Sequence, residues 1–219
     1  MTPFVVHSIP GSPFGRAVLA VLEEKGAPYR LAPLAPGQHR AEPHLSRHPF
    51  GRVPTLEHGD FSLYETQAIL RYLDRVLPTP ALTAADPRAA ARMDQAMNVS
   101  DWYLFQGVGN VIAFHRVVGP RVLGLKPDEA AIEAAMPRAH TVFAELARLL
   151  GDQPYFAGER ASLADILLAC HLDMLAAAPE WAPLTKARQQ LVDWLERMRA
   201  RPSLQATTWD RVAAMAEAA

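Results

Sequence analysis

The order of apolar and polar positions changes character once along this chain. Up to about Val76, short β-type runs alternate with helical stretches, and beyond Pro80 the strand signals almost vanish. Phe4-Val5-Val6-His7 is a short β-type run, and Ser8-Ile9-Pro10-Gly11 is a loop. Ser12-Pro13 has the form of an N-cap followed by proline at the first helical position. Phe14, Ala17, Val18, Val21 and Leu22 then recur at helical spacing until Gly26 stops the helix. Tyr29 to Leu34 predicts a second strand, with Tyr29 and Leu31 on one face. Strand–helix–strand normally makes a right-handed parallel crossover. Residues 35–52 are rich in Pro, Gly and His, which predicts an irregular segment with at most short helical turns. Leu56, Phe61, Leu63 and Tyr64 flank Gly59-Asp60, the pattern of two short strands joined by a tight turn. Ile69, Tyr72, Leu73 and Val76 mark another helix. The order βαβ, loose segment, ββ, α is satisfied by a small four-stranded mixed sheet with helices packed on it, the thioredoxin-like arrangement.

The second part of the chain reads as all helix. Leu77-Pro78-Thr79-Pro80 is the best linker, so the expected division is a thioredoxin-like α/β domain over 1–77, a linker over 78–86 and an all-helical domain over 87–219. Asp86-Pro87 repeats the cap-plus-proline signal, for a helix running to about Phe105 before Gly107 and Gly109 interrupt. Asp128 caps a helix ending near Gly151, with a kink or break expected at Pro137. Ser162-Leu163-Ala164-Asp165 has capping-box spacing, with Asp for the usual Glu. The helix it opens is apolar nearly all round and should be the buried centre of a bundle. Leu191, Val192, Trp194, Leu195 and Met198 form a last amphipathic stripe before Arg201-Pro202, and the Ala-rich tail from Ala213 is expected to fray.

Composition narrows the function. With 219 residues, half of them hydrophobic, the chain can bury a sizeable core. Its 22 basic and 23 acidic residues nearly cancel and form no basic block, so no nucleic-acid partner is expected. The one cysteine, Cys170, sits in an apolar run and reads as a small buried hydrophobe; a chain with one cysteine makes no internal disulfide. The N-terminus lacks the signal-peptide pattern, and no apolar run reaches membrane-spanning length. The expectation is a soluble, cytoplasmic protein with no membrane partner. Eight histidines include no His-Glu-x-x-His pattern, so no metal site is expected, and there is no phosphate-binding Gly loop.

One stretch carries candidate chemistry. A residue before proline is pushed to extended backbone, so Val53 before Pro54 presents its N–H and C=O sideways, like the edge of a strand. An extended peptide can pair with such an edge. Glu65 and Thr66 follow at the positive end of a helix. Together they read as a socket for a small, extended, anionic peptide.

The chain resembles the cytosolic glutathione transferases over almost its whole length. The resemblance rests on Pro10-Gly11-Ser12-Pro13-Phe14-Gly15-Arg16, Gly37-Gln38-His39-Arg40, Pro49-Phe50-Gly51-Arg52-Val53-Pro54, Glu65-Thr66-Gln67-Ala68-Ile69 and Ser162-Leu163-Ala164-Asp165-Ile166. Each alone is weak, and their order and spacing together are strong. The spacing is most similar to the phi branch and its bacterial relatives, which use serine at the active site.

The resemblance implies glutathione as co-substrate, with Ser12 donating a hydrogen bond to its sulfur so that the thiol becomes a thiolate. Ser12 also reads as a plain cap of the first helix, and the two roles are compatible. The resemblance makes Pro54 cis and pairs the Val53 backbone with the cysteinyl backbone of glutathione; the plainer alternative is a turn before a strand. It gives the γ-glutamyl end to Glu65 and Thr66, where the family usually has Ser for Thr66; the alternative is a plain helix cap with an acidic first turn. The glycyl carboxylate falls to His39, Arg40 and Arg52, which are otherwise solvated loop charges. Phe14, Trp102, Phe105, Phe114 and His115, with Tyr103, are candidates for a second-substrate pocket, and aromatics at such spacings are more often core. The implied activity is conjugation of glutathione to a small, electrophilic, mostly apolar substrate, in a homodimer with a role in detoxification. Isomerisation, dehalogenation or peroxide reduction on the same site stays open, as does a non-catalytic binding module of this fold.

Overall fold

The computed structural model describes residues 3–219. The chain divides into two compact units: one takes in the chain up to Leu82 together with Arg201–Ala219, the other is Thr83–Ala200. The sequence division kept everything after residue 87 in one helical domain, whereas the last stretch packs with the sheet-bearing unit.

In that unit β1 (Phe4–Ser8), α1 (Pro13–Glu24) and β2 (Tyr29–Pro33) make the expected crossover, with β1 and β2 parallel. β3 (Thr55–His58) and β4 (Phe61–Tyr64) form the antiparallel hairpin over Gly59-Asp60. The sheet order is β2-β1-β3-β4, so β1 is central, and its Phe4 and Val6 are fully buried. The long connection from β2 to β3 consists of turns and one 3-10 turn, Gln38–Arg40. α2 (Thr66–Val76) buries Ile69, Leu70 and Leu73. Lys25, just past α1, meets Asp74 of α2 at 2.5 Å, and Asp74 also accepts the Leu82 N–H at 2.9 Å. This buried pair fixes the far ends of both helices to the chain's exit from the unit.

The helical unit opens with α3 (Pro87–Val99), whose cap Asp86 accepts the Ala89 N–H at 2.8 Å. α4 (Ser100–Val118) continues it with wider, π-type winding and loses helical backbone at Gln106 and Gly107, where the two glycines predicted an interruption. After the short α5 (Gly119–Leu123), α6 (Glu129–Leu150) runs unbroken through Pro137. No break occurs because Pro137 is exposed, so water can satisfy the carbonyl that its missing N–H leaves open. α7 (Leu163–Leu175) is buried along nearly its whole length, Cys170 included. Asp165 in its first turn accepts from the Ser162 N–H at 2.8 Å, Ser162 Oγ at 2.6 Å, the Phe156 N–H at 3.0 Å and Trp194 Nε1 at 2.9 Å. Burial pushes the Asp165 carboxyl up, and these hydrogen bonds pull against it. The unit closes with α8 (Trp181–Thr185) and α9 (Gln189–Arg199), which carries Trp194. Among the described residues no helix is long and apolar enough to cross a membrane.

The chain then returns to the first unit as α10 (Pro202–Ala206) and α11 (Trp209–Glu217). The tail expected to fray from Ala213 is helical through Glu217.

Candidate active site

Sheet register gathers the site. His7 near the end of β1 lies opposite Thr55, the first residue of β3, and Thr55 lies opposite Tyr64, the last residue of β4. The turn after β1, the segment entering β3 and the segment leaving β4 therefore emerge at one end of the sheet. Those three segments carry Ser12, Val53-Pro54 and Glu65-Thr66.

Ser12 is held by its own turn. Its N–H donates to the Ile9 carbonyl at 3.0 Å, and its carbonyl accepts the Arg16 N–H at 2.9 Å. With φ −72° and ψ 119° it caps α1, and its Oγ accepts the Gly15 N–H at 3.2 Å. Accepting one N–H leaves the hydroxyl proton available, and among the described residues nothing takes it. The half-buried hydroxyl thus sits at the positive end of a helix with a donor to offer. Gly15 permits this close packing: a Cβ there would stand 1.9 Å from Ser8 Oγ at the end of β1.

The Val53–Pro54 bond is cis. β3 begins two residues after Val53, so the Val53 peptide groups lie beyond the ladder. His44 Nε2 donates to the Arg52 carbonyl at 2.7 Å, anchoring the approach to this segment from beneath. His44, on a turn, and His48, just past it, are both buried, with ring centroids 6.3 Å apart; His48 also rests on Tyr64 at 4.6 Å. Sequence reading expected no metal site among the histidines and gave these two no other role, because their supporting role carries no local signal. Burial holds the His48 imidazole below its ordinary pKa, against the pull of Glu65.

Glu65 is the one non-glycine with positive φ among the described residues, at φ 69° and ψ 115°. Such backbone costs about 1–3 kcal/mol and persists where the surroundings enforce it, commonly at functional sites. Its side chain is exposed and makes no capping bond. Thr66, the first residue of α2, is 5 % exposed.

Gln38–Arg40 lies against the β3 approach, since a Cβ on Gly51 would stand 3.2 Å from the His39 carbonyl. His39 Nδ1 is buried without a partner. Burial first, and then the charges of Arg40 and His44, hold its pKa below the ordinary value. His39 is therefore a neutral donor near pH 7. Arg40 and Arg52 are exposed and make no ion pair among the described residues.

The aromatic candidates divide. Phe14 is half-buried in the first turn of α1. Within the helical unit, Phe105 packs edge-on against buried His171 at 5.7 Å, and Phe114 against His115 at 5.2 Å. His115 Nδ1 accepts the Asp128 N–H at 3.4 Å. Trp102 and Tyr103 are 61 % and 56 % exposed, with Arg138 over the Tyr103 ring.

The family follows from comparison with known proteins. The sequence profile of the glutathione S-transferase N-terminal domain matches residues 6–81, and that of the C-terminal domain matches residues 109–202. The chain belongs to the glutathione S-transferase family. Within it the chain is phi-like. It is 33 % identical over 189 residues to the rice (Oryza sativa subsp. japonica) protein "Probable glutathione S-transferase GSTF2", covering 85 % of this chain and 87 % of that one. It is 30 % identical over 202 residues to a glutathione S-transferase of Hyoscyamus muticus, covering 90 % and 94 %. Among solved structures it is similar to apo glutathione S-transferase III, with TM-score 0.83, 30 % identity and 97 % of each chain covered. Glutathione S-transferase-I, solved with lactoylglutathione, gives TM-score 0.82 and 27 % identity, covering 97 % of this chain and 99 % of that one.

Proposed function

We infer that this glutathione transferase ionises the glutathione thiol at Ser12 and conjugates it to an electrophilic, mostly apolar substrate. The observation that carries the reading is the Ser12 hydroxyl, capping α1 while keeping its proton to donate. Lowering a thiol pKa by about 2 units needs roughly 2.7 kcal/mol of preference for the thiolate. A hydrogen bond to a charged group supplies about 1.5–3 kcal/mol, and a helix N-terminus roughly 0.3–1 kcal/mol more. The two together meet the requirement without a separate base.

Around that sulfur, Val53 pairs its backbone with the cysteinyl residue. Glu65 meets the γ-glutamyl amino group, and Thr66 with the N-terminus of α2 meets its carboxylate. Arg40 and Arg52 supply charge to the glycyl carboxylate, and His39 supplies a neutral N–H. Phe14 and the aromatics Trp102, Phe105, Phe114 and His115 form the candidate set for the electrophile. The reading includes a cytoplasmic homodimer acting in detoxification, with Phe50, 71 % exposed, and the region of α3 as contacts. Sedimentation of wild type and Phe50→Ala tests the dimer.

The deciding measurement follows thiolate ultraviolet absorbance against pH during glutathione titration. Bound thiol should ionise well below the free value in wild type and lose that shift in Ser12→Ala, with glutathione still bound. A shift unchanged in Ser12→Ala removes Ser12 from the mechanism.

A further inference from the structure

The last helices begin at residue 202, where the match to the C-terminal domain profile ends. They are fastened to the first unit at several points. Arg201 donates through Nε and Nη2 to the two Glu24 carboxylate oxygens at 2.7 and 2.8 Å, and Ser203 Oγ donates to Glu24 at 2.5 Å. Arg16 Nη2 donates to the Leu204 carbonyl at 3.1 Å. Met215 Sδ lies 3.9 Å from the Tyr29 hydroxyl.

This docking sets Trp209, the first residue of α11, against Gly11. A Cβ on Gly11 would stand 2.5 Å from Cζ2, 2.6 Å from Cη2 and 2.7 Å from Cε2 of the indole. The six-membered ring therefore fills the place of a side chain at residue 11. Gly11 has φ +87° and lies inside the turn closed by the bond from Ser12 N–H to Ile9 carbonyl. A glycine there is free to relax along φ unless something stops it.

We propose that Trp209 is a positioning residue of the thiol site: its indole is the wall that holds the Gly11 peptide, and through it the Ser12 hydroxyl, in donating geometry. The proposal rests on the reading that Ser12 activates the thiol. Misplacement by about 1 Å can cost 10²-fold in rate, and a turn that keeps its own hydrogen bond should lose less.

The test compares Trp209→Ala, Trp209→Phe, Met215→Ala and Ser12→Ala, each assayed well below its melting temperature. In Trp209→Ala the bound glutathione thiol should ionise about one pH unit higher, with conjugation near pH 6.5 about tenfold slower. Glutathione affinity should stay within about threefold, because the other contacts are untouched. Trp209→Phe keeps apolar bulk at the helix start but reaches less far, so a shift of about threefold in the same direction is expected; it carries the test if the alanine variant does not fold. Met215→Ala loosens the same helix away from Gly11 and should leave the ionisation profile in place. A lower melting temperature in the Trp209 variants with an unmoved profile overturns the proposal, as does an equal shift in Met215→Ala. If Ser12→Ala moves the profile and Trp209→Ala does not, only this proposal fails; if neither moves it, the Ser12 reading fails as well.

Discussion

Two serines occupy matching places in the two units and use their hydroxyls oppositely. Ser162 caps α7 inside the helical unit, and its Oγ–H donates to Asp165 at 2.6 Å in a buried cluster. Ser12 caps α1 of the sheet-bearing unit, and its Oγ only accepts, from Gly15 at 3.2 Å. One hydroxyl is consumed by folding, and the other is left able to bind. Around Ser162 every partner of Asp165 is a donor in its ordinary place. Around Ser12 the neighbouring segments show a strained Glu65 backbone, a buried His39 nitrogen without a partner and two exposed arginines. The contrast teaches that helix capping and chemistry can share a residue type only where the cap leaves one hydrogen-bonding role unfilled.

The largest effect should come from removing the acceptor that consumes the first hydroxyl. Asp165→Ala leaves the Phe156 N–H, the Ser162 N–H and Trp194 Nε1 buried and unpaired, at about 1–3 kcal/mol each. Thermal unfolding should drop by about 6–36 °C, while glutathione thiol ionisation in the folded fraction stays unchanged; an altered profile would break the division of roles. Ser12→Ala should do the reverse. Turnover should fall about 10- to 100-fold, and melting should fall only by the few degrees expected of a lost cap. Ser162→Ala sharpens the comparison, since it also removes a hydroxyl at a helix N-cap, one that is spent on Asp165. Its melting point should fall by about as much as that of Ser12→Ala, and steady-state kinetics should match wild type.

The smallest effect concerns acid. Burial pushes the Glu24 carboxyl up, but hydrogen bonds from Arg201 and Ser203, with the Arg201 charge, outweigh it and hold the group below its ordinary pKa. The stability this clasp adds is therefore complete above the unfolded pKa and is lost as the pH falls through the depressed folded one. After discount for solvent screening it amounts to about 1 kcal/mol or less. Melting curves of wild type and Glu24→Gln should differ near neutrality and converge in acid.

Much of the fold was legible because its signals are local. The cap-proline pairs at Ser12-Pro13 and Asp86-Pro87, the Gly59-Asp60 turn and the apolar face of α2 each declare an element within a few residues. At Pro137 the sequence left a kink or a break open, and the break is absent because a helix tolerates proline where water can reach the orphaned carbonyl; exposure is a tertiary property. The candidate site could be named from the sequence where the family resemblance supplies roles, at Ser12, Pro54 and Glu65. Its supports were not: His44 works through a carbonyl eight residues away, and Trp209 through a glycine at the opposite end of the chain. No periodicity or spacing marks either contact.

The return of the last segment also sets the timetable of synthesis. Glu24 is separated from Arg201 by 177 residues, so the first unit's clasp awaits a partner made after the whole helical unit. Closing so long a loop costs only logarithmically in stability but delays assembly. On the ribosome the nascent sheet therefore precedes the helix that packs on it by the whole helical unit, and the turn bearing Ser12 acquires its indole wall only once Trp209 has been made.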